Sequence, residues 1–244
     1  MAIYEKPVRL LMKDMVSDFA IKKGERITKN QVIDWFIDKY PKIKLGTITA
    51  HLIRMSTNAK SRLHYGVKPI EDDLFYQIDG STYRLYDEEN DPSPLLKGAK
   101  IVEETNGNET EGNEDKNEFA YEKDLQNFLS RNLHLIEPGL KLFEDEGING
   151  IEYPVGGRYI DILAIDKNNN YVVIELKVSR GYDRVIGQLL RYVAWVKKNQ
   201  TEDGQSVRGI IIAREISEDL VLASDGLLNV ELFEYQLSIT LNKI

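Results

Sequence analysis

Apolar and polar positions change period twice along this chain and divide it into three stretches. In residues 8–20 the side chains Val8, Leu10, Leu11, Met15, Val16 and Phe19 fall on one helical stripe. Thr28 then stands as an N-cap before Val32, Ile33, Trp35, Phe36 and Ile37, and Tyr40-Pro41 stops that helix. A third helix is expected from Leu45 through Thr47, Ile48, Leu52, Ile53 and Met55. The period then falls to two in LFYQIDGSTYRLY, residues 74–86, which turns at Asp79-Gly80, a dipeptide suited to a tight hairpin. Three helices followed by a hairpin have the pattern of a winged helix-turn-helix.

After a polar middle stretch, Phe119, Tyr121, Leu125, Phe128, Leu129 and Leu133 restore a helical stripe, which carries Glu122. A strand is expected at residues 139–143, a helix at 181–199, and later strands at 207–214 and 229–237. Between them lie two apolar runs, 159–166 and 171–178, joined by the polar turn Lys167-Asn168-Asn169-Asn170 and read as a hairpin of strands buried on both faces. The expected fold is mixed, α+β or α/β, with a second half of order α-β-β-β-α-β.

Charges inside those buried strands need partners. Asp161 sits between Ile160 and Ile162, while Glu175 and Lys177 sit among Val172, Val173, Ile174, Leu176 and Val178. Strand side chains alternate, so Glu175 and Lys177 share a face, and pairing of the two strands brings Asp161 beside Glu175. An unpaired charge there costs several kcal/mol, so these groups must meet each other, a metal or a water-filled cleft. An E-x-K alone is common on solvated strand edges. Two carboxylates and one ammonium converging from apolar strands instead make a site for Mg²⁺ or Mn²⁺ and a phosphate, with Lys177 orienting water or countering developing charge.

Asp161 followed by Glu175-Leu176-Lys177 resembles the D…(D/E)-x-K core of the PD-(D/E)xK, restriction endonuclease-like, nuclease superfamily. More closely, GRYIDILAID, VVIELK, GQLLRYVAWV and, upstream, YEKDLQNFLSRNLHLIEPGLKL are similar to segments of the NucS/EndoMS catalytic domain. The resemblance implies metal-dependent DNA hydrolysis, with Asp161 and Glu175 as metal ligands and Lys177 as catalytic lysine. It also makes Glu122, Gln188 and Tyr192 accessory catalytic residues. Ile160 stands where the superfamily's eponymous proline would be.

A net charge of −8 is at odds with DNA binding until it is mapped. Residues 87–118 hold eleven acidic groups against Lys97, Lys100 and Lys116, and read as an acidic flexible linker between a winged-helix domain, 1–86, and a nuclease domain, 119–244. The first domain is then net +5 and the last net −5. No acidic residue lies between Asp38 and Glu71, a stretch that includes Lys42, Lys44, Arg54, Lys60 and Arg62. Those residues, with Thr47, Thr49, His51 and Asn58, form the expected DNA-binding set on and around the third helix.

Chemistry excludes several classes. There is no cysteine, no phosphate-binding G-x-x-x-x-G-K-[ST] and no G-x-S-x-G, and His51, His64 and His134 are scattered. No apolar run approaches the ~18 residues of a membrane span and no signal-peptide core is visible, so the expected setting is the prokaryotic cytoplasm. The favoured reading is a restriction-type endonuclease on double-stranded DNA, whose winged helix reads a sequence or a modified base. The alternatives are a NucS-like mismatch- or structure-specific repair endonuclease, and a DNA-binding regulator with a degenerate nuclease domain. A homodimer is the simplest way to cut both strands, and Leu220, Val221, Leu222, Leu227 and Leu228 are its candidate surface.

Overall fold

A computed structural model describes residues 4–96, 113–181 and 184–237. In chain order its elements are α1 (Val8–Asp18), β1 (Arg26–Thr28), α2 (Lys29–Lys39), α3 (Leu45–Arg54), β2 (Phe75–Gln77), β3 (Thr82–Leu85), α4 (Asn113–Arg131), β4 (Lys141–Leu142), β5 (Glu144–Asp145), β6 (Ile148–Asn149), β7 (Ile151–Val155), β8 (Arg158–Ile165), β9 (Tyr171–Gly181), α5 (Arg184–Asn199), β10 (Val207–Ile216), α6 (Glu218–Ser224) and β11 (Val230–Glu234). The described residues form two compact units, one of residues 4–96 with 143–159, the other of residues 113–142 with 160–181 and 184–237. Among the described residues no helix is long and apolar enough to cross a membrane.

In the first unit, α1 to α3 pack on a three-stranded sheet of order β1-β3-β2. Thr28 caps α2 as its sequence position requires: its hydroxyl accepts the Gln31 N–H at 3.2 Å, and the Gln31 side chain accepts the Thr28 N–H at 2.8 Å. Such a reciprocal box contributes about 1 kcal/mol. Leu11, Met12, Met15, Val32, Phe36, Ile48, Leu52 and Phe75 fill the core, each worth roughly 1.5–3 kcal/mol when fully buried. The segment 143–159, expected to belong wholly to the nuclease half, is instead part of this unit. It buries the other face of α3, and α3 is buried from Gly46 to Arg54.

That burial corrects much of the expected DNA-binding set. The Thr47 hydroxyl donates to the Asp145 carboxylate at 3.0 Å, and the buried His51 ring contacts the Thr47 carbonyl at 3.0 Å. Thr49 is buried as well. Arg54 donates to the Asp72 carboxylate at 3.0 Å, to the Glu146 carbonyl at 2.8 Å and to the Gly66 carbonyl at 2.7 Å. Gly147 makes room for the bond to the Glu146 carbonyl: its φ is +82°, and a Cβ there would lie 2.6 Å from the donating Arg54 Nη1. Arg62 is buried against Asp73 at 2.6 Å, and Asn58 exchanges bonds with the Gln77 backbone at 2.8 Å. These side chains are committed to the fold and cannot reach base edges as they stand. Lys42 and Lys60 are exposed, and Lys44 is half-buried.

Residues 87–96, read as linker, are tied to the same unit. Arg84 pairs with Asp91, and the Leu95 N–H donates to the Thr57 carbonyl at 2.8 Å. The middle of that expected linker, 97–112, lies outside the described residues, and its last part begins α4.

In the second unit the strands run in the order β11-β10-β9-β8-β4. The β8–β9 hairpin closes as its polar turn demands: the Asp166 carboxylate accepts the N–H groups of Asn168 and Asn170, with Asn169 in the left-handed region at φ 64°. β9 then pairs in parallel with β10, which pairs in parallel with β11. Leu125 and Leu129 of α4 pack on Ile162, Ile174, Leu176 and Ile210, so one face of the sheet is apolar core. On α5, Leu189 comes so close to Gly209 that a Cβ there would stand 2.6 Å away. Of the candidate dimer surface, Leu220 is buried, whereas Val221, Leu222 and Leu228 are exposed.

Candidate active site

The register of β8 and β9 sets the site. Ile162 lies opposite Ile174, which puts the preceding Asp161 beside Glu175, on the sheet face away from the Leu125 and Leu129 core. Asp161 is further fixed by its carboxylate, which accepts the Leu176 N–H at 2.8 Å. From β9, Glu175 is 1% exposed and Lys177, two residues on, is 28% exposed. Lys177 Nζ donates to Glu175 Oε1 at 3.0 Å and to the Leu176 carbonyl at 2.8 Å.

Two helices complete the cluster. α5 places Gln188 and Tyr192 one turn apart; Gln188 Nε2 donates to Glu175 Oε1 at 2.6 Å and to the Tyr192 hydroxyl at 3.2 Å. α4 brings Glu122 to 3.9 Å from Lys177 Nζ. All six residues singled out for catalysis, namely Asp161, Glu175, Lys177, Glu122, Gln188 and Tyr192, therefore stand in one place. Residue reasoning missed Gln126, one helical turn beyond Glu122, whose Nε2 donates to the Asp161 carbonyl at 2.9 Å. The available signal was a glutamine between Leu125 and Leu129 on a face otherwise used for core packing.

Electrostatics sets the two central groups apart. Burial, reinforced by the Asp161 charge, pushes the Glu175 carboxyl up to about 8, against the opposing pull of Lys177. Burial disfavours the Lys177 ammonium, but the Glu175, Asp161 and Glu122 carboxylates outweigh it and hold its pKa above the ordinary lysine value. Lys177 is therefore a cation at neutral pH, suited to countering negative charge and not to accepting a proton.

Glu175 Oε2 is buried and makes no hydrogen bond. A carboxylate oxygen left so, with a second carboxylate beside it, fits a hard divalent cation, which would relieve the burial that raises its pKa. Among the described residues no group of three or more His, Asp or Glu side chains could hold a metal ion. A cation here would thus take two carboxylates and fill its remaining positions with water and phosphate oxygens, the habit of Mg²⁺.

Residues 121–236 match the family model described as the Endonuclease NucS C-terminal domain. Residues 7–85 match a separate model, a domain of unknown function, DUF7669. Endonuclease NucS of Methanocaldococcus jannaschii is 34% identical over 115 residues, 47% of this chain and 39% of that protein. Endonuclease NucS of Bifidobacterium adolescentis is 34% identical over 116 residues, 47% of this chain and 46% of that protein. The chain spans less than half the length of the curated relatives it matches. Among solved structures, a repair endonuclease from Pyrococcus abyssi is 23% identical, with a TM-score of 0.38 over 64% of this chain and 52% of that one. The EndoMS-dsDNA2 complex is 21% identical, with a TM-score of 0.39 over 66% and 53%. The second half of the chain thus contains a domain similar to the NucS C-terminal domain, and the first half is similar to a different family.

Proposed function

We propose that the second unit is the catalytic domain of a metal-dependent DNA endonuclease of the NucS kind, with a PD-(D/E)xK core that hydrolyses phosphodiesters at a mismatch or other structural irregularity. The observation that carries this reading is Glu175, buried beside Asp161 with one oxygen lacking a partner and Lys177 bonded to the other. Asp161 and Glu175 would hold Mg²⁺ or Mn²⁺, which supplies charge stabilisation of the phosphodiester and a more acidic water. Gln188, held by Tyr192, fixes the Glu175 carboxylate. Lys177 stays protonated and faces the negative charge that develops on the phosphate, and Glu122 lies within reach of Lys177 to orient it.

A structure-specific enzyme is favoured over a restriction enzyme for two reasons. The relatives described above are named Endonuclease NucS, and the helix on which sequence reading would depend is buried. The element order α1-β1-α2-α3-β2-β3 and the sheet order β1-β3-β2 support reading the first unit as a winged helix. Its contact with double-stranded DNA falls to surface lysines, Lys42 and Lys60 first, which bind phosphates and carry no sequence information. A double-strand break would take two copies, each cutting one strand.

The test incubates the full chain with perfectly paired, mismatched and branched DNA duplexes and with plasmid, in Mg²⁺, Mn²⁺ or a chelator. Metal-dependent cutting confined to the irregular duplexes supports the reading. Cutting of paired plasmid at one fixed sequence would restore the restriction reading, and no cutting of any substrate would end both.

A further inference from the structure

Among the described side chains of α4, Gln126 is a polar one that is both buried, at 4% exposure, and bonded to the strand that carries the first carboxylate. Its neighbours on the same helical face, Leu125 and Leu129, belong to the apolar core. A glutamine among leucines forgoes apolar burial and must satisfy its amide, so its presence calls for a partner that leucine cannot serve. That partner is the backbone carbonyl of Asp161, 2.9 Å away. The other end of the same residue, the Asp161 carboxylate, accepts the Leu176 N–H from β9 at 2.8 Å. Asp161 is thus pinned at its main chain from α4 and at its side chain from β9, and both pins act on the spacing between it and Glu175.

We propose that Gln126 is a positioning residue that holds the Asp161 carboxylate in register with Glu175 for cation binding. It touches neither the cation nor the phosphate, and it acts through the Asp161 backbone. The inference rests on the reading of Asp161 and Glu175 as metal ligands. Supporting groups behind metal ligands typically change affinity 10- to 100-fold when removed, and a support that acts on the backbone belongs at the lower end of that range.

The experiment compares the full wild-type chain with Gln126→Met, which keeps volume and removes the donor, and Gln126→Ala, which removes both. Two quantities are read: the half-saturating concentration of Mn²⁺ alone, by electron paramagnetic resonance, and hydrogen exchange of the Leu176 amide without metal. The expected result is an increase of about ten-fold in half-saturating Mn²⁺, together with faster Leu176 exchange because its acceptor has moved. Either folded variant suffices, since both remove the donor. Wild-type metal affinity or wild-type Leu176 exchange in a folded variant overturns the proposal while leaving the metal site intact. A wild-type chain that binds no Mn²⁺ at millimolar concentration overturns the metal site itself, and the proposal with it. A variant that lowers thermal stability but moves neither readout shows a packing role only.

Discussion

Each unit buries ionisable side chains, and the two put them to opposite uses. In the first, Arg54 is almost completely enclosed and meets the Asp72 carboxylate and two carbonyls, so its charge is spent on joining α3 to the segments around it. In the second, Glu175 is just as enclosed, yet one of its oxygens has no partner and its pKa is driven up to about 8 by burial and by Asp161. Orphaned atoms alone do not mark a site. Arg62 also has a bare Nε and Nη1, yet a single carboxylate, Asp73, balances its charge. What distinguishes the second cluster is the like charge of Asp161 and Glu122 around Glu175, which Lys177 opposes.

The contrast breaks most decisively at Glu175. Glu175→Ala or Asp161→Ala is predicted to slow cleavage by at least about 10³-fold, because the loss of one ligand from a two-carboxylate site removes cation binding altogether. Affinity for DNA should change no more than a few-fold, since it comes from phosphate contacts elsewhere. Cleavage by Glu175→Ala at a rate near that of the wild type would end the assignment.

Arg54 supplies the matching test. Arg54→Met leaves Asp72 charged and enclosed, and breaking a buried pair in this way costs on the order of 3–5 kcal/mol. Urea denaturation should show that loss, with cleavage under folding conditions preserved. A variant that stays stable but loses DNA affinity would return Arg54 to the DNA-binding role that its place in the sequence suggested.

The two clusters were unequally legible. Period-two alternation and the cost of buried charge point to Asp161, Glu175 and Lys177 directly, because a strand allows only two directions for a side chain. Helical spacing places Gln188 and Tyr192 on one face, and their assignment to the site is what the resemblance to the NucS catalytic domain implies. The three helices of the first unit and its Asp79-Gly80 hairpin are legible in the sequence, whereas the enclosure of the polar and basic residues of α3 is not. Helical periodicity identifies the face that packs on neighbours in sequence. It carries no sign that residues 143–159, almost ninety positions after α3, cover the opposite face. Gln126 was missed for a related reason: its partner is a backbone carbonyl, which the sequence does not mark.

A smaller effect sharpens the electrostatic half of the contrast. A carboxyl whose folded pKa is raised holds its proton in the folded state at pH values where the unfolded chain has released it. Stability therefore falls as pH rises from the ordinary value, 4.5, through about 8. Glu175→Gln removes the titrating group and keeps its shape. Without metal, it is predicted to be more stable than the wild type at pH 8, by about a few kcal/mol, and equally stable near pH 4.5. Melting curves across that window measure the difference. A wild-type advantage at pH 8 would mean that Glu175 is stabilised as an anion, as Arg54 is as a cation, and the two clusters would no longer differ in kind.

The smallest expected effect concerns what the first unit does at its surface. If its buried basic groups are structural, its contribution to DNA binding must come from exposed lysines, and Lys42 and Lys60 are the members of the original set that remain exposed. A phosphate contact adds affinity without preference for sequence, so Lys42→Ala and Lys60→Ala should each weaken binding a few-fold on every duplex alike. Each should also reduce the salt dependence by about one unit of slope in log affinity against log salt concentration. Fluorescence anisotropy over a range of salt concentrations on two unrelated sequences separates the possibilities. Uniform weakening with a lower slope fits a phosphate-binding surface. Loss on one sequence only would require a base-reading element in this unit, and with α3 enclosed, the β2–β3 hairpin would be the next place to look for it.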